Sequence, residues 1–351
     1  MAEIKKRTRR PETIRIPEGR SPGYNRWIEN GAKLLKKELP FEGPADVSIT
    51  VGSGLSSIVD FMQLQNVRHI PYENIGLPIG VNQRHKKEII AGITPEGKKI
   101  IIVNGRTHAY EIPENGIKTK RWGQLDRMEL ATGYIAMLNE IGVENMILTC
   151  AAGGINHPMN DGEEKPFKQE NLPVISMIGA DLNRAYPNPN LGHYKSRRGD
   201  FFGLKDADKI LMSMFGQSMA DTGETGEIPS VYYITSKSTP NFEDKGVIYD
   251  AAFSGGQVVG MSFSYEKEFI SGMDNIGRFM GIAVVTNPVE LVYANPSPFR
   301  TMPSISINEI RQHRAQEFEL AFHATDEEVG RIGRLAVERL GKGLTQMVKS
   351  L

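Results

Sequence analysis

The sequence predicts an α/β protein: a single domain with a central mixed, largely buried β-sheet flanked by helices. From residue 24 onward, short apolar runs alternate with longer segments of helical period, which is typical of that class. Several of these runs are apolar at successive residues, as strands covered on both faces must be. A chain of 351 residues is long enough for a large α/β domain, and no linker or internal repeat divides it into two halves.

The predicted strands are short apolar runs spread along the chain: Val47–Val51, Ile100–Val103, Met146–Thr149, Pro173–Ile178, Val231–Thr235, Gln257–Val259 and Ile282–Thr286. A helix is predicted after Gly123, because apolar residues recur there at helical spacing from Leu125 to Leu138. A long closing helix is predicted from Thr325, which has the spacing of a capping box with Glu328. Residues 154–204 are rich in Asn, Pro, Gly and charge, and are interpreted as long loops around one strand.

The first 22 residues differ from the rest of the chain. They combine three prolines with the basic residues Lys5, Lys6, Arg7, Arg9, Arg10, Arg15 and Arg20 and show almost no hydrophobic pattern. We interpret residues 1–22 as a flexible basic arm and residues 23–351 as the folded domain. Contact of the arm with an anionic surface is the alternative interpretation.

Composition excludes several classes of protein. Lys and Arg together number 42, as do Asp and Glu, so the formal net charge is zero and no global basic field is available to hold nucleic acid or a membrane. The single cysteine, Cys150, cannot form an intramolecular disulfide, and no apolar stretch approaches the roughly 18 residues of a membrane span. The seven histidines have no metal-ligand spacing, so no metal is expected. We expect a cytoplasmic protein with a small-molecule or protein partner.

Polar sequence follows several predicted strands, at the edge of an open α/β sheet where ligands bind. The turn Gly52–Gly54 lacks the third glycine of a dinucleotide motif, yet it leaves Ser53 free to approach an oxyanion. A plain tight turn is the alternative. Arg106 and His108 alternate on an extended segment and therefore project to the same side, and Tyr110 continues that face. An arginine fork beside a histidine suits phosphate oxygens, whereas a lone histidine is usually hydrogen-bonded scaffolding.

Short blocks between residues 47 and 290 follow one another along the chain: VGSGL at Val51–Leu55, NGRTHAYE at Asn104–Glu111, LTCAAGGIN at Leu148–Asn156, NFED at Asn241–Asp244, VGMS at Val259–Ser262 and VTN at Val285–Asn287. In this order they resemble the glycine-serine loop and the GRxHxYE, TNAAGGLN, SFET, VGMS and ITN elements of the purine nucleoside phosphorylase family. The resemblance is to its trimeric branch, which also includes the methylthioadenosine phosphorylases. It implies a nucleoside phosphorylase-like α/β domain.

The resemblance implies phosphorolysis by a pentosyltransferase of purine salvage. Inorganic phosphate attacks C1′ of a purine nucleoside and releases free base and ribose 1-phosphate, with no cofactor besides this co-substrate. Phosphate binding is then assigned to Ser53, Arg106, His108, Ser262 and the backbone N–H of Ala151. Nucleoside contacts fall to Tyr110 and Met261 at the ribose and to Phe242, Glu243 and Asn287 at the base. The catalytic residues are then His108, Glu243 and Asn287.

Two of these residues imply the preferred base. Asn287 has an amide that can bond N7 and O6 of a 6-oxopurine, and Glu243 can accept a hydrogen bond from N1–H. Adenine has no N1–H, and adenine-specific relatives tend to carry aspartate where this chain has Asn287. Inosine and guanosine, or their deoxy forms, are therefore the expected substrates. A strand-end amide and a solvated loop carboxylate are the alternative interpretations of the two side chains.

The chain departs from the family pattern in three places. Cys150 replaces an asparagine, which predicts weaker phosphate binding, and Pro296–Phe299 stand where a histidine commonly contacts the 5′-hydroxyl. His85 is only an approximate match to the histidine of the phosphate-side loop. A methylthioadenosine or other 5′-modified nucleoside phosphorylase therefore stays open, as do a non-catalytic nucleoside-binding homologue and a hydrolase.

The family's assembly adds one further expectation. In the family, an aromatic side chain of a neighbouring subunit closes over the ribose. Phe201 or Phe202 is the candidate for that contact in a homotrimer. Anchoring of a long loop to its own core is the alternative role for both.

Overall fold

The computed structural model describes residues 22–52, 54–80, 86–113, 116–120, 123–156, 167–187, 189, 205–223, 228–235, 245–273, 276–290 and 326–351. The strands are β1 Val47–Val51, β2 Gln65–Pro71, β3 Glu88–Ile93, β4 Lys99–Asn104, β5 Ile117–Thr119, β6 Gly123–Leu125, β7 Asn145–Asn156, β8 Val174–Asn183, β9 Ser230–Thr235, β10 Val258–Gly260 and β11 Arg278–Glu290. The helices are α1 Pro22–Glu38, α2 Arg127–Glu140, α3 Lys209–Asp221, α4 Lys245–Phe253, α5 Phe263–Ser271 and α6 Asp326–Ser350. The predicted arm lies outside the described residues except for Pro22, where α1 begins.

Nine strands form one mixed sheet in the order β10-β9-β8-β11-β7-β1-β4-β3-β2, and β5 and β6 form a separate pair. The central strands β4, β1, β7 and β11 are mutually parallel, whereas β8 runs antiparallel to β11. β10 pairs with β9 and also with the far end of β7. The long strand β7 thus joins the open part of the sheet to a closed circuit of five strands.

Helices cover both faces of the sheet. One core lies between the sheet and α1, α2 and α5, and the second lies between the sheet and α3 and α6. On β4, Ile101 and Val103 face the first core while Ile100 and Ile102 face the second. A strand between two helical layers has to be apolar at successive residues, which confirms the predicted mixed and buried central sheet.

The structure extends and corrects the predicted elements. β7, β8 and β11 continue beyond the predicted apolar runs, and the short strand near residue 258 is shifted by one residue. β2 and β3 were not predicted. β2 has the polar sequence QNVRHIP and lies at the edge of the sheet with most of its residues exposed, so it carries no apolar alternation.

The helix predicted after Gly123 begins only at Arg127, because Asp126 caps it. The Asp126 carboxylate accepts a hydrogen bond from the Glu129 N–H at 2.7 Å, and Glu129 accepts one from the Asp126 N–H at 2.9 Å. Residues 123–125 instead form β6. The predicted closing helix is present as α6, although Thr325 lies outside the described residues. In the part of the chain that the structure describes, no helix is long and apolar enough to cross a membrane.

Candidate active site

The parallel strands β4, β1, β7 and β11 place their carboxyl ends at one edge of the sheet. Arg106 lies just beyond β4 and the Gly52 turn directly follows β1. Ala151 and Asn287 lie inside the longer strands β7 and β11, and Ala151 is level with the end of β1, because its backbone is close to Gly52. Strand polarity, which joins segments far apart in the sequence, therefore gathers most of the described candidates on one side of the sheet.

The turn after β1 packs closely on its neighbours. The Gly52 N–H donates to the Thr149 hydroxyl at 3.2 Å, and a Cβ on Gly52 would lie 3.2 Å from the Cα of Cys150. Gly54 has a φ of +77° and abuts the backbone of α6, since a Cβ there would lie 3.2 Å from the Gly330 carbonyl oxygen. Close approach favours glycine at both positions, and the positive φ favours it further at Gly54. Ser53, between them, lies outside the described residues.

Arg106 lies in a buried ion pair. Its Nε donates to the Glu266 carboxylate at 2.8 Å, and the Tyr134 hydroxyl donates to the same carboxylate oxygen at 2.8 Å. The Arg106 and Glu266 side chains are 2% and 1% exposed. Arg106 Nη2 is also buried and has no hydrogen-bond partner among the described residues. Because only the Nε side of the guanidinium is taken by Glu266, a donor on its terminal side is left unused.

Electrostatics around this pair favour a charged arginine among neutral hydroxyls. Burial is the largest single influence and opposes the cation, but Glu266 together with Tyr134, Cys150 and Tyr265 outweighs it and raises the pKa of Arg106. Burial raises the pKa of Tyr72, Tyr134 and Tyr265. All three hydroxyls are therefore uncharged at neutral pH and can serve as hydrogen-bond donors.

His108 and Tyr110 lie beyond Arg106 with their side chains together, although Ala109–Glu111 form a 3-10 turn rather than the extended segment that the sequence predicted. Their rings stack with centroids 5.3 Å apart and an angle of 10° between their planes. The Glu111 carboxylate accepts a hydrogen bond from the His108 N–H at 2.8 Å, and His108 itself is buried. The stack and this backbone bond fix the direction in which the imidazole projects.

Ser262 approaches the same region from β10. The antiparallel pairing aligns Val258 with Gly154 and Val259 with Gly153, so the chain after β10 runs toward Ala151. Ser262 is buried immediately before α5, and its carbonyl accepts the Glu266 N–H at 3.2 Å. The serine thus lies one helical turn from the carboxylate that holds Arg106, next to the half-buried Met261.

Asn287 sits at an irregularity of β11. The register with β7 shifts between Val285 and Asn287, and Asn287 lies opposite Gly153. Its side-chain oxygen accepts a hydrogen bond from the Thr286 hydroxyl at 3.2 Å. Glu243 and Phe242, the other predicted base contacts, lie outside the described residues, as do Phe201, Phe202, His85 and Pro296–Phe299.

Cys150 is buried in the centre of β7. Its thiol lies 3.7 Å from the Ile282 carbonyl oxygen, and burial raises its pKa from the ordinary 9.0 to about 12 against the opposing charge of Arg106. The thiol is therefore neutral at physiological pH and packs as a small apolar side chain.

Sequence reasoning missed the residues that hold the predicted ones. Glu266, Tyr134 and Lys87 surround Arg106 without belonging to any block that the resemblance singled out. Glu266 offered one signal, since it follows Ser262 by four residues and so shares a helix face with it. Among the described residues, no group of three or more His, Cys, Asp or Glu side chains is arranged to hold a metal ion.

Comparison with known proteins finds several relatives that are all purine nucleoside phosphorylases. No family model matches the chain. Purine nucleoside phosphorylase 1 of Bacillus subtilis (strain 168) is 26% identical over 274 residues, which cover 77% of this chain and 88% of the relative. Purine nucleoside phosphorylase of Mus musculus is 25% identical over 271 residues, covering 76% and 83%. The corresponding enzyme of Saccharomyces cerevisiae is 27% identical over 258 residues, covering 72% and 75%.

Solved structures agree on the fold. A schistosoma purine nucleoside phosphorylase in complex with hypoxanthine superposes with a TM-score of 0.65 at 19% identity, covering 92% of this chain and 96% of that one. A Schistosoma mansoni purine nucleoside phosphorylase in complex with adenosine gives a TM-score of 0.62 with the same coverage. The central sheet with helices on both faces is therefore the nucleoside phosphorylase fold.

The fold and the polar edge of its sheet define the chain as a nucleoside phosphorylase-like protein. The bacterial, fungal and mammalian relatives are all purine nucleoside phosphorylases, a class of pentosyltransferases, and their similarity to this chain supports that family. These relatives support a nucleoside phosphorylase function.

Proposed function

We propose that the chain is a phosphate-dependent purine nucleoside phosphorylase that cleaves 6-oxopurine nucleosides such as inosine and guanosine. The observation that carries the proposal is the unused, buried Nη2 of Arg106 at the carboxyl edge of the sheet. A buried N–H without a partner costs about 1–3 kcal/mol, and an oxygen of a bound anion would satisfy it. Phosphate has the geometry and charge for that contact.

The neighbours of Arg106 fit the same ligand. His108 is fixed by its stack on Tyr110, while Ser262 and Ala151 lie on segments that converge on this edge. We assign phosphate binding to these residues together with Ser53. Phosphate is a co-substrate in this scheme, and no further cofactor takes part.

The reaction requires stabilisation of charge rather than a covalent enzyme intermediate. The glycosidic bond breaks through an oxocarbenium-like ribose, while negative charge develops on the departing purine. Phosphate held beneath C1′ stabilises the cationic sugar and then forms the new bond to it. Tyr110 and Met261 would line the ribose.

The base side supplies the selectivity. Asn287 donates to N7 as charge builds there and bonds O6, while Glu243 accepts from N1–H and Phe242 packs on the ring. The bulge at Asn287 supports this role, because it departs from regular pairing at the point where β11 reaches the polar edge.

A 5′-modified nucleoside is the second candidate substrate. The observation in its favour is the sequence Pro296–Phe299, which offers no histidine to bond a 5′-hydroxyl. A phosphorylase of methylthioadenosine or a related compound would use the same anion site with a different contact at the 5′ end.

The test is release of free base from inosine, guanosine, adenosine and methylthioadenosine, measured with and without millimolar phosphate. Phosphate-dependent release from the first two supports the proposal, and release from methylthioadenosine alone supports the second candidate. Release without phosphate would indicate a hydrolase, and nucleoside binding without release would indicate a non-catalytic homologue. Arg106→Ala should remove phosphate dependence. Arg278→Ala is the matched control. Arg278 is half-exposed and is the first residue of β11, so it lies at the other end of that strand from Asn287.

We further propose that the active form is a homotrimer in which Phe201 or Phe202 reaches a neighbouring site. Light scattering after size-exclusion chromatography measures the mass directly. A trimer that turns over nucleoside, and loses ribose affinity in a Phe201→Ala, Phe202→Ala double variant, fits the proposal. An active monomer would contradict it.

A further inference from the structure

A buried lysine lies directly before β3, next to the segment that carries Arg106 and His108. Lys87 is 5% exposed, and its Nζ lies 3.2 Å and 3.3 Å from the two oxygens of the Glu111 carboxylate. It also donates to the Thr107 hydroxyl at 3.3 Å and to the backbone carbonyl of Arg106. We refer to Lys87, Thr107 and Glu111 as the Lys87 cluster.

The backbone of Lys87 has an unusual conformation. Its φ is 52°, in the left-handed region that favours glycine over residues with a Cβ. A lysine at such a position is retained only where its surroundings stabilise it. The contacts of the ammonium group supply that stabilisation, because glycine would adopt this backbone conformation with less strain.

The Lys87 cluster connects directly to the proposed phosphate ligands. Glu111, which Lys87 neutralises, accepts the hydrogen bond from the His108 N–H at 2.8 Å. The Arg106 carbonyl that accepts from Lys87 belongs to the residue whose guanidinium binds Glu266. Displacement of the ammonium group therefore acts on the backbone of both residues at once.

A second segment of the chain, which contains Pro78 and Gly80, lies against the cluster. The Thr107 hydroxyl donates to the Pro78 carbonyl at 2.6 Å, and Gly80 lies so close that a Cβ there would be 2.2 Å from a Glu111 oxygen. Glu111 is thus enclosed between the chain at Gly80 and the chain at Lys87. Burial lowers the pKa of Lys87 despite the opposing charge of Glu111, so the ammonium group depends on that carboxylate to remain charged in this enclosure.

We propose that Lys87 is a positioning residue, which fixes the segment from Arg106 to Glu111 so that Arg106 and His108 meet phosphate in the required geometry. It touches neither substrate directly. The inference deepens the proposed function and rests on it. It also makes a claim about the order of the 104–111 segment that is measurable without any substrate.

The decisive variant is Lys87→Gly. Glycine adopts the left-handed backbone without strain and lacks the ammonium group. The variant therefore keeps phosphate affinity if Lys87 only occupies the turn and loses it if the cation is needed. Lys87→Arg keeps a cation and tests rescue. The double variant Lys87→Gly, Glu111→Gln removes the uncompensated carboxylate as well, so that loss of folding is not mistaken for loss of positioning. Lys205→Met is the control, because Lys205 also donates to two backbone carbonyls, those of Met273 and Ile276, away from the cluster.

The readouts are the Kd for inorganic phosphate by calorimetry, kcat and both KM values, and hydrogen exchange of residues 104–111. For Lys87→Gly we expect the phosphate Kd and KM to rise at least about tenfold, since small displacements of a binding group weaken it strongly. The KM for nucleoside should rise less than the KM for phosphate, because only Tyr110 among the assigned nucleoside contacts lies in the segment that Lys87 fixes. Exchange in the segment should speed up, Lys87→Arg should recover part of the affinity, and Lys205→Met should match the wild type.

A folded Lys87→Gly or double variant with unchanged phosphate affinity and unchanged exchange overturns the proposal. If the wild type neither binds phosphate nor cleaves nucleoside, the proposed function fails instead. The exchange measurement then still decides whether Lys87 orders the segment: faster exchange in the variants supports the positioning role, and equal exchange refutes it.

Discussion

Two regions of the molecule carry ion pairs of opposite character. Arg106 and Glu266 are separated by 160 residues in sequence and meet in the interior, with side chains 2% and 1% exposed. Lys342 and Glu338 lie one turn apart on α6, with side chains 52% and 66% exposed. Water solvates the second pair whether or not it forms, whereas the first pair depends on protein groups alone.

The buried pair at the sheet edge needs an explanation other than stability. Burying two ions costs several kcal/mol each, so such a pair is a poor means of stabilising a fold. The Arg106 pair also keeps buried polar atoms, Arg106 Nη2 and Glu266 Oε2, without partners among the described residues. The unpartnered Nη2 donor of Arg106 is suited to an oxygen of an anionic ligand.

Removing the buried cation should have the largest effect. Arg106→Ala leaves the Glu266 carboxylate buried without its partner, so the free energy of unfolding should fall by about 3–5 kcal/mol. Urea denaturation measures this. Arg106→Lys separates charge from geometry, since it keeps the cation and loses the planar fork; a variant as stable as the wild type with full phosphate affinity would contradict the assigned role.

Neutralising the buried Glu266 carboxylate should have the second-largest effect on stability. In Glu266→Gln the side-chain oxygen still accepts from Arg106 and Tyr134, but the negative charge beside the anion site is gone. We expect a stability loss of about 2 kcal/mol, as for a hydrogen bond to a charged group that loses its charge. Phosphate should bind the folded variant more tightly than the wild type. Weaker binding would show that the charge of Glu266 orients Arg106 rather than merely balancing it.

The Cys150 thiol gives an intermediate effect with a defined pH dependence. Burial raises its folded-state pKa from the ordinary 9.0 to about 12, so its contribution to stability is complete below pH 9 and is lost as the pH rises toward 12. Between pH 8 and pH 10 the stability advantage of the wild type over Cys150→Ala should shrink by about 1 kcal/mol. A difference that is constant across this range would place the thiol in contact with solvent.

Breaking the exposed pair should have the smallest effect. Lys342→Ala removes one surface interaction between residues four apart on a helix, so the free energy of unfolding should change by less than about 0.5 kcal/mol. Nucleoside cleavage should be unchanged. A loss comparable to that of Arg106→Ala would mean that α6 depends on its surface charges rather than on its buried apolar face.

Local sequence patterns were sufficient to predict the class of fold and the location of the polar edge. Runs such as Ile100–Val103 are apolar at successive residues because strands between two helical layers bury both faces, and that property is local. The alternation of Arg106, His108 and Tyr110 is local too, and His108 and Tyr110 do stack on each other, although Tyr110 lies in a 3-10 turn. The roles of the residues in the sequential blocks were predicted from the family resemblance, which also needs no knowledge of how the strands pair.

The partners of the buried Arg106 and Glu111 side chains follow from long-range packing and not from local sequence. Glu266 of α5 reaches Arg106 where α5 packs against α2, whose Tyr134 bonds the same carboxylate. Lys87 reaches Glu111 because β3 pairs with β4. Neither contact has a sequence periodicity, since each joins segments whose distance is set by sheet order. The edge strand β2 was missed for a related reason: its residues are mostly exposed, and its pairing with β3 rather than its own composition makes it a strand. Local patterns record which faces are buried, whereas the partners of a buried charge are chosen by the packing of the whole chain.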